Sequence, residues 1–163
     1  MKQGSTLFLK LAVIIMGVPV LAACIFLLPQ LAKEAMKHAA TGATLAYVVF
    51  ALLIIMYVSA IPFYFALYQA LKLLSYIDKN QAFSQISVTA LKSIKKCAIT
   101  ISGLYVVALP FVAIIAEWDD APGLIIVGMV MVGAPMVIAV FAAVLQRLLQ
   151  EAINIKSEND LTV

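Results

Sequence analysis

The chain has 163 residues, of which 65% are apolar and only 12% charged, and its mean hydropathy is +1.11. Soluble domains carry an apolar share nearer half, so this composition excludes a soluble globular protein and requires lipid as the solvent. The net charge of +3 matters less than its placement: acidic and basic residues are sorted into alternating segments along the chain.

Four stretches lack Asp, Glu, Lys, Arg and His, namely residues 11–28, 43–71, 97–116 and 123–145. A helix crosses the hydrocarbon core with roughly 20 residues at about 1.5 Å each, so each stretch predicts one span, over about 8–29, 43–71, 97–116 and 123–145. The second must tilt or protrude. A β-barrel would need short alternating strands, which these unbroken Ile/Leu/Val runs lack. The expected fold is therefore all-α: a four-helix transmembrane bundle forming a single domain, with no segment left to bury a soluble core.

The N-terminal segment carries Lys2 and Lys10. Residues 29–42 read as a first loop holding Lys33, Glu34, Lys37 and His38. The second loop is rich in lysine (Lys72, Lys79, Lys92, Lys95 and Lys96), and the tail holds Arg147 and Lys156. The third loop, Glu117 to Pro122, is acidic, and Trp118 suits an interfacial anchor. Nine Lys/Arg on one side against two on the other place both termini and the second loop in the cytoplasm by the positive-inside rule, and an even number of spans agrees.

Helical spacing continues past the membrane on that side. Leu67, Leu71 and Leu74 extend the second helix to a stop at Asp78, Lys79 and Asn80. Ser84 is positioned as an N-cap, and Ala90, Leu91, Ile94 and Ala98 lead into the third span, predicting a cytoplasmic helical hairpin. Phe83 is placed to staple onto the second of these helices. The fourth helix is expected to extend over 146–156, with an apolar stripe of Leu145, Leu148, Leu149, Ala152 and Ile153, and to end near Lys156 with 157–163 loose.

Prolines 19, 62, 110 and 135 fall one per span at comparable depth, roughly 12 to 20 Å in, and are candidate kinks freeing the carbonyls of Ile15, Val58, Val106 and Met131. A ring of bends could open a mid-membrane pocket; the plainer reading is that prolines are common in spans. The spans hold no ionisable residue of the kind used for ion coupling. Lys92, Lys95 and Lys96 are candidate lipid-headgroup contacts, too few and too poor in aromatics for direct nucleic-acid binding. Cys24 follows Leu-Ala-Ala as in a lipoprotein processing box, but the run after it stays apolar, which favours an intact, unlipidated first span. Cys97 is expected to be structural, and the two cysteines form neither a disulfide framework nor a metal site. The acidic loop reads as solvated rather than as a cation site, and His38 as a solvated loop residue. Ala139 and Ala143 make a small-residue pair for close helix packing. No nucleophile, base and oxyanion set is present, so neither an enzyme nor a cofactor is expected.

The stretch from Leu71 to Ser84, followed by Ala90, Leu91 and Ile94, resembles the central signature of a bacterial membrane family catalogued as domain of unknown function 2975. The resemblance rests on Ile77 and Asp78, the turn, Phe83 and Ser84, and Leu91 with Ile94; where family members often have glycine or proline in the turn, this chain has Asn80 and Ala82. It implies a small four-span protein with no established activity, often encoded beside small helix-turn-helix regulators. That makes Ile77, Asp78, Phe83, Ser84, Leu91 and Ile94 a candidate docking hairpin for a cytoplasmic protein partner. The leading expectation is a non-enzymatic cell-membrane protein that binds such a partner. The alternative is a small transporter, channel or lipid-binding subunit with a pocket at the proline level, and homo-oligomerisation stays open.

Overall fold

The computed structural model describes residues 2–40 and 44–162, without the side chains of residues 2, 3, 38 and 39. All described residues outside short turns are helical. The elements are α1 (Lys2–Ala22), a π-helical segment (Ala23–Leu27), α2 (Leu28–Ala39), α3 (Thr44–Asp78), α4 (Gln85–Trp118) and α5 (Gly123–Thr162). Four helices are long and apolar enough to cross a membrane, as the uncharged stretches require.

Packing among the described residues follows chain order: α1 and α2 lie on α3, α3 on α4, and α4 on α5. Burial matches a row. In the most apolar window of each span, 11% of residues are buried in the first and last and 22% in the two between, since inner helices have two neighbours and outer ones one. The outward surface is studded with Ile, Leu, Val, Met and Phe, which is stable only where hydrocarbon replaces water.

Small residues let the rows close. Ala139 and Ala142 are buried on α5, and Ala143 is half-buried beside them. A Cβ at Gly128 would come within 2.9 Å of Leu109 Cδ2 on α4, so glycine sets the approach there.

Two expectations change. The first loop is largely helix: α2 prolongs the first span to Ala39, because Pro29 interrupts one hydrogen bond and the chain absorbs the gap as a π turn instead of ending. The side chain of His38 and residues 41–43, including the start expected for the second span, lie outside the described residues. The fourth helix does not stop near Lys156 but runs to Thr162, whose hydroxyl donates back to the carbonyls of Glu158 and Asn159. Residues 157–162 contain neither Gly nor Pro, so nothing in them breaks a helix already nucleated by four turns and more.

Both described hairpin turns use one backbone solution. After α3, Gln81 N–H donates to the Tyr76 carbonyl at 2.8 Å and Asn80 N–H to that of Ile77 at 3.1 Å, with Asn80 at φ 58°. After α4, Ala121 N–H reaches the Ala116 carbonyl at 2.9 Å and Asp120 N–H that of Glu117 at 3.4 Å, with Asp120 at φ 49°. These are Schellman caps with Asn and Asp in the left-handed position usually given to glycine.

Candidate functional site

Outside the uncharged stretches, the end of the molecule bearing both termini carries α1's first turns, the α3–α4 hairpin and the extension of α5. Asp78, the last residue of α3, is its hub. Lys10 Nζ on α1 lies 2.6 Å from Asp78 Oδ2, and the Thr6 hydroxyl donates to Oδ1. Lys10's hydrogen bond, then Thr6's, hold the Asp78 carboxyl below the usual carboxylate range. Thr6 is itself buried, so the first turns of α1 are clamped onto the hairpin.

Within the turn, the Ser84 and Ser87 hydroxyls both donate to the Gln81 carbonyl, at 2.6 and 3.1 Å. Ser87 is fully buried. Ser84 occupies the N-cap position of α4 with extended backbone (φ −137°, ψ 158°), but the expected hydroxyl cap is not made: the hydroxyl turns back to the exposed carbonyl of the turn. Phe83 makes no staple either and stands 59% exposed, next to a similarly exposed Ile86. Of the other hairpin residues, Leu91 is buried, and Ile77 and Ile94 are half-buried. The six therefore divide into an internal set that fixes the hairpin and Phe83, which faces outward.

The extension of α5 packs along the start of α4, where Gln85 Nε2 donates to Gln150 Oε1 at 3.2 Å. Since Gln85 begins α4, residues 151–162 of α5 project about 18 Å past the start of α4. Leu149, Ala152 and Ile153 are half-buried, while Leu148, Ile155 and Leu161 are exposed.

The lysines sit at a common level. The antiparallel register set by Gly17 with Tyr64 and by Ser59 with Tyr105 brings Lys10, Lys72 and Lys92 abreast. Lys92 and Lys96 are exposed and Lys95 half-buried, and Lys72 Nζ lies 5.0 Å above the Tyr68 ring.

Sequence reasoning missed the polar contacts between spans. Each of the buried side-chain hydroxyls Ser59 and Ser102 is hydrogen-bonded across a helix interface: Ser59 with Tyr105 at 3.1 Å, and Ser102 to the Val132 carbonyl at 3.1 Å. Tyr64 donates to the Gly17 carbonyl at 3.0 Å, and a Cβ at Gly17 would stand only 3.1 Å from Leu67 Cδ1, so glycine admits α3 at that point. Tyr57 donates to the Cys24 carbonyl at 2.9 Å. This last bond has a cause in sequence. Leu28 N–H turns to the Ala23 carbonyl in the π segment, and the next donor in line for Cys24 would be residue 29, a proline with no N–H. An orphan carbonyl in hydrocarbon costs several kcal/mol, and the Tyr57 hydroxyl satisfies it. Hydroxyl and phenol residues inside apolar runs were the available signal.

Pro19, Pro62, Pro110 and Pro135 all lie inside continuous helices. The hydroxyl donors reach Gly17 and Val132, close to but not at the carbonyls of Ile15 and Met131 that the prolines release. Among the described residues there is an apolar cleft between α1 and α3 beside Gly17 and Tyr64, one along α2, and one between α4 and α5; none of these is lined by a proline. Cys24 is half-buried in the π segment and Cys97 buried, both as free thiols. No group of three His, Cys, Asp or Glu residues among those described is arranged to hold a metal.

Four apolar helices, intramembrane hydrogen bonds and a basic extramembrane end define a multi-pass helical membrane protein. The chain belongs to the family described as protein of unknown function (DUF2975), which matches residues 33–163. It is 60% identical over its whole length, and over the whole of the relative, to a Bacillus subtilis protein named uncharacterized membrane protein YoaS. No solved structure matches it.

Proposed function

We propose that this chain is a non-enzymatic, multi-pass protein of the cell membrane that holds a cytoplasmic protein partner on its α3–α4 hairpin and α5 extension, with both termini in the cytoplasm. The observation that carries the reading is the exposed apolar set outside the spans, Phe83 and Ile86 on the hairpin and Leu148 and Ile155 on α5. In water such side chains on ordered helices are costly unless covered. Leu148 and Ile155 are one heptad apart, which is the spacing of a helix-in-groove or paired-helix contact. Lysine placement supports the orientation, and the company that family members keep with small helix-turn-helix regulators suggests the class of partner.

The test is co-expression of the full chain with a small helix-turn-helix regulator, solubilisation in mild detergent and co-purification. The expected result is a stoichiometric complex that Leu148→Glu with Ile155→Glu abolishes while the variant still elutes as a folded particle. Recovery of the chain alone in several mild detergents would overturn the reading.

A further inference from the structure

Between α4 and α5, at the border of the uncharged stretches, lies a cleft of about 370 Å³ lined by Lys95, Ala143, Gln146, Arg147, Gln150 and Glu151. Its level follows from the register. Carrying the Gln85–Gln150 and Ser102–Val132 pairs along the helices sets Lys95 opposite Ala139 and Val140, inside the apolar part of α5. A lysine rooted there keeps its stem in hydrocarbon and sends its ammonium along the cleft toward the headgroup plane. Arg147 enters the same cleft from α5; Glu151 lies 3.6 Å from its Nε, leaving the other guanidinium donors to a further acceptor. Gln146 Oε1 is buried without a hydrogen-bond partner. It is an acceptor waiting for a donor in a cleft that carries two cations suited to a phosphate, Lys95 and Arg147, beside the Glu151 carboxylate.

We propose that this cleft binds an anionic phosphodiester lipid whose headgroup carries hydroxyls. Its phosphate lies between Lys95 and Arg147, and a headgroup hydroxyl donates to Gln146 Oε1, with Glu151 as a second acceptor. The apolar wall at Ala143 leads the acyl chains down into the bilayer beside α4 and α5. A lipid fits better than a soluble phosphate because the cleft ends at Ala143, within the uncharged stretch of α5, where a soluble phosphate gains nothing and an acyl chain does. The site stands whether or not a protein docks on the α5 extension.

The experiment uses the full chain in phosphatidylcholine nanodiscs doped with either phosphatidylglycerol or phosphatidylmethanol, an anionic phosphodiester without headgroup hydroxyls, followed by native mass spectrometry of the retained lipid. The wild type is expected to retain phosphatidylglycerol over phosphatidylmethanol. Lys95→Gln with Arg147→Gln should weaken retention of both by roughly thirtyfold, about fivefold per cation. Lys79→Gln with Lys156→Gln, the same change in charge at exposed positions away from the cleft, should leave it unaltered. Gln146→Leu, which removes the acceptor but no charge, should erase the preference for phosphatidylglycerol while keeping phosphatidylmethanol bound. Equal losses in the two double variants would mean a diffuse surface potential and overturn the site. Retained preference in Gln146→Leu would overturn the role of its amide, and displacement of the lipid by excess soluble glycerol phosphate would overturn the lipid assignment.

Discussion

The two described helical hairpins of this protein turn by the same backbone device and differ in everything added to it. Each ends its first helix with a Schellman cap whose left-handed residue is a small polar side chain, Asn80 or Asp120. At the α3–α4 turn that device is reinforced by a buried Ser87, a doubly accepting Gln81 carbonyl and a carboxylate clamped by α1. Around the α4–α5 turn, Glu117, Trp118, Asp119 and Asp120 all stand exposed. One turn is a joint tied to a third helix, and the other reverses the chain at the membrane surface. Local cap geometry is thus sufficient to turn a helix, while the anchoring that makes a turn a rigid platform comes from residues distant in sequence.

The comparison breaks most visibly at Ser87. Replacing this fully buried residue by leucine should overpack the joint and cost roughly 1 to 3 kcal/mol, read as a lowered Tm in detergent. Asp119→Leu at the other turn should stay within about 0.5 kcal/mol. The shared device is sharpened by Asn80→Ala and Asp120→Ala, each expected to destabilise by about 1 kcal/mol for the left-handed φ, with glycine at either position neutral or better. Unequal costs would mean that the caps are not equivalent.

Smaller still is the span-to-span bond. Tyr57→Phe should cost about 0.6 kcal/mol, in line with hydrogen bonds between membrane helices. In a Pro29→Ala background that cost should shrink, because the restored N–H gives the π turn its own donor for Cys24. Full retention of the cost would separate the Tyr57 bond from the proline.

The Asp78 clamp is expected to matter least for global stability, being partly open to solvent, and most for the local order of α1. Because the folded carboxyl titrates below its ordinary range, its contribution is present above that range and is lost as pH falls through the depressed folded value. Amide protection factors over the first turns of α1, taken against the intrinsic exchange rate at each pH, should therefore be high and flat around neutral pH and fall only in strong acid. In Asp78→Asn they should be low at every pH.

How much was legible beforehand divides along the same line. The four spans, the acidic turn, the stop at Asp78 to Asn80 and the entry of α4 after Ser84 could be read because each rests on local composition and capping preference. The continuation of the first helix through Pro29 could not, since a proline after an apolar run ordinarily reads as an end and only the neighbouring Tyr57 makes a π turn tolerable. The staple expected of Phe83 failed for a related reason: a hydrophobic residue before an N-cap has somewhere to pack only if the turn angle presents it.

What the sequence determined by itself is the medium and the backbone form, because uncharged runs of this length leave hydrocarbon as the solvent and helix as the conformation that satisfies every peptide group within it. What tertiary structure alone decided is which hydroxyl meets which carbonyl, which lysine finds Asp78, and which amide is left buried without a donor. These are pairings between helices that are far apart in the chain, and their choice depends on helix register and approach, quantities set by small residues such as Gly17 and Gly128 only once the helices are side by side.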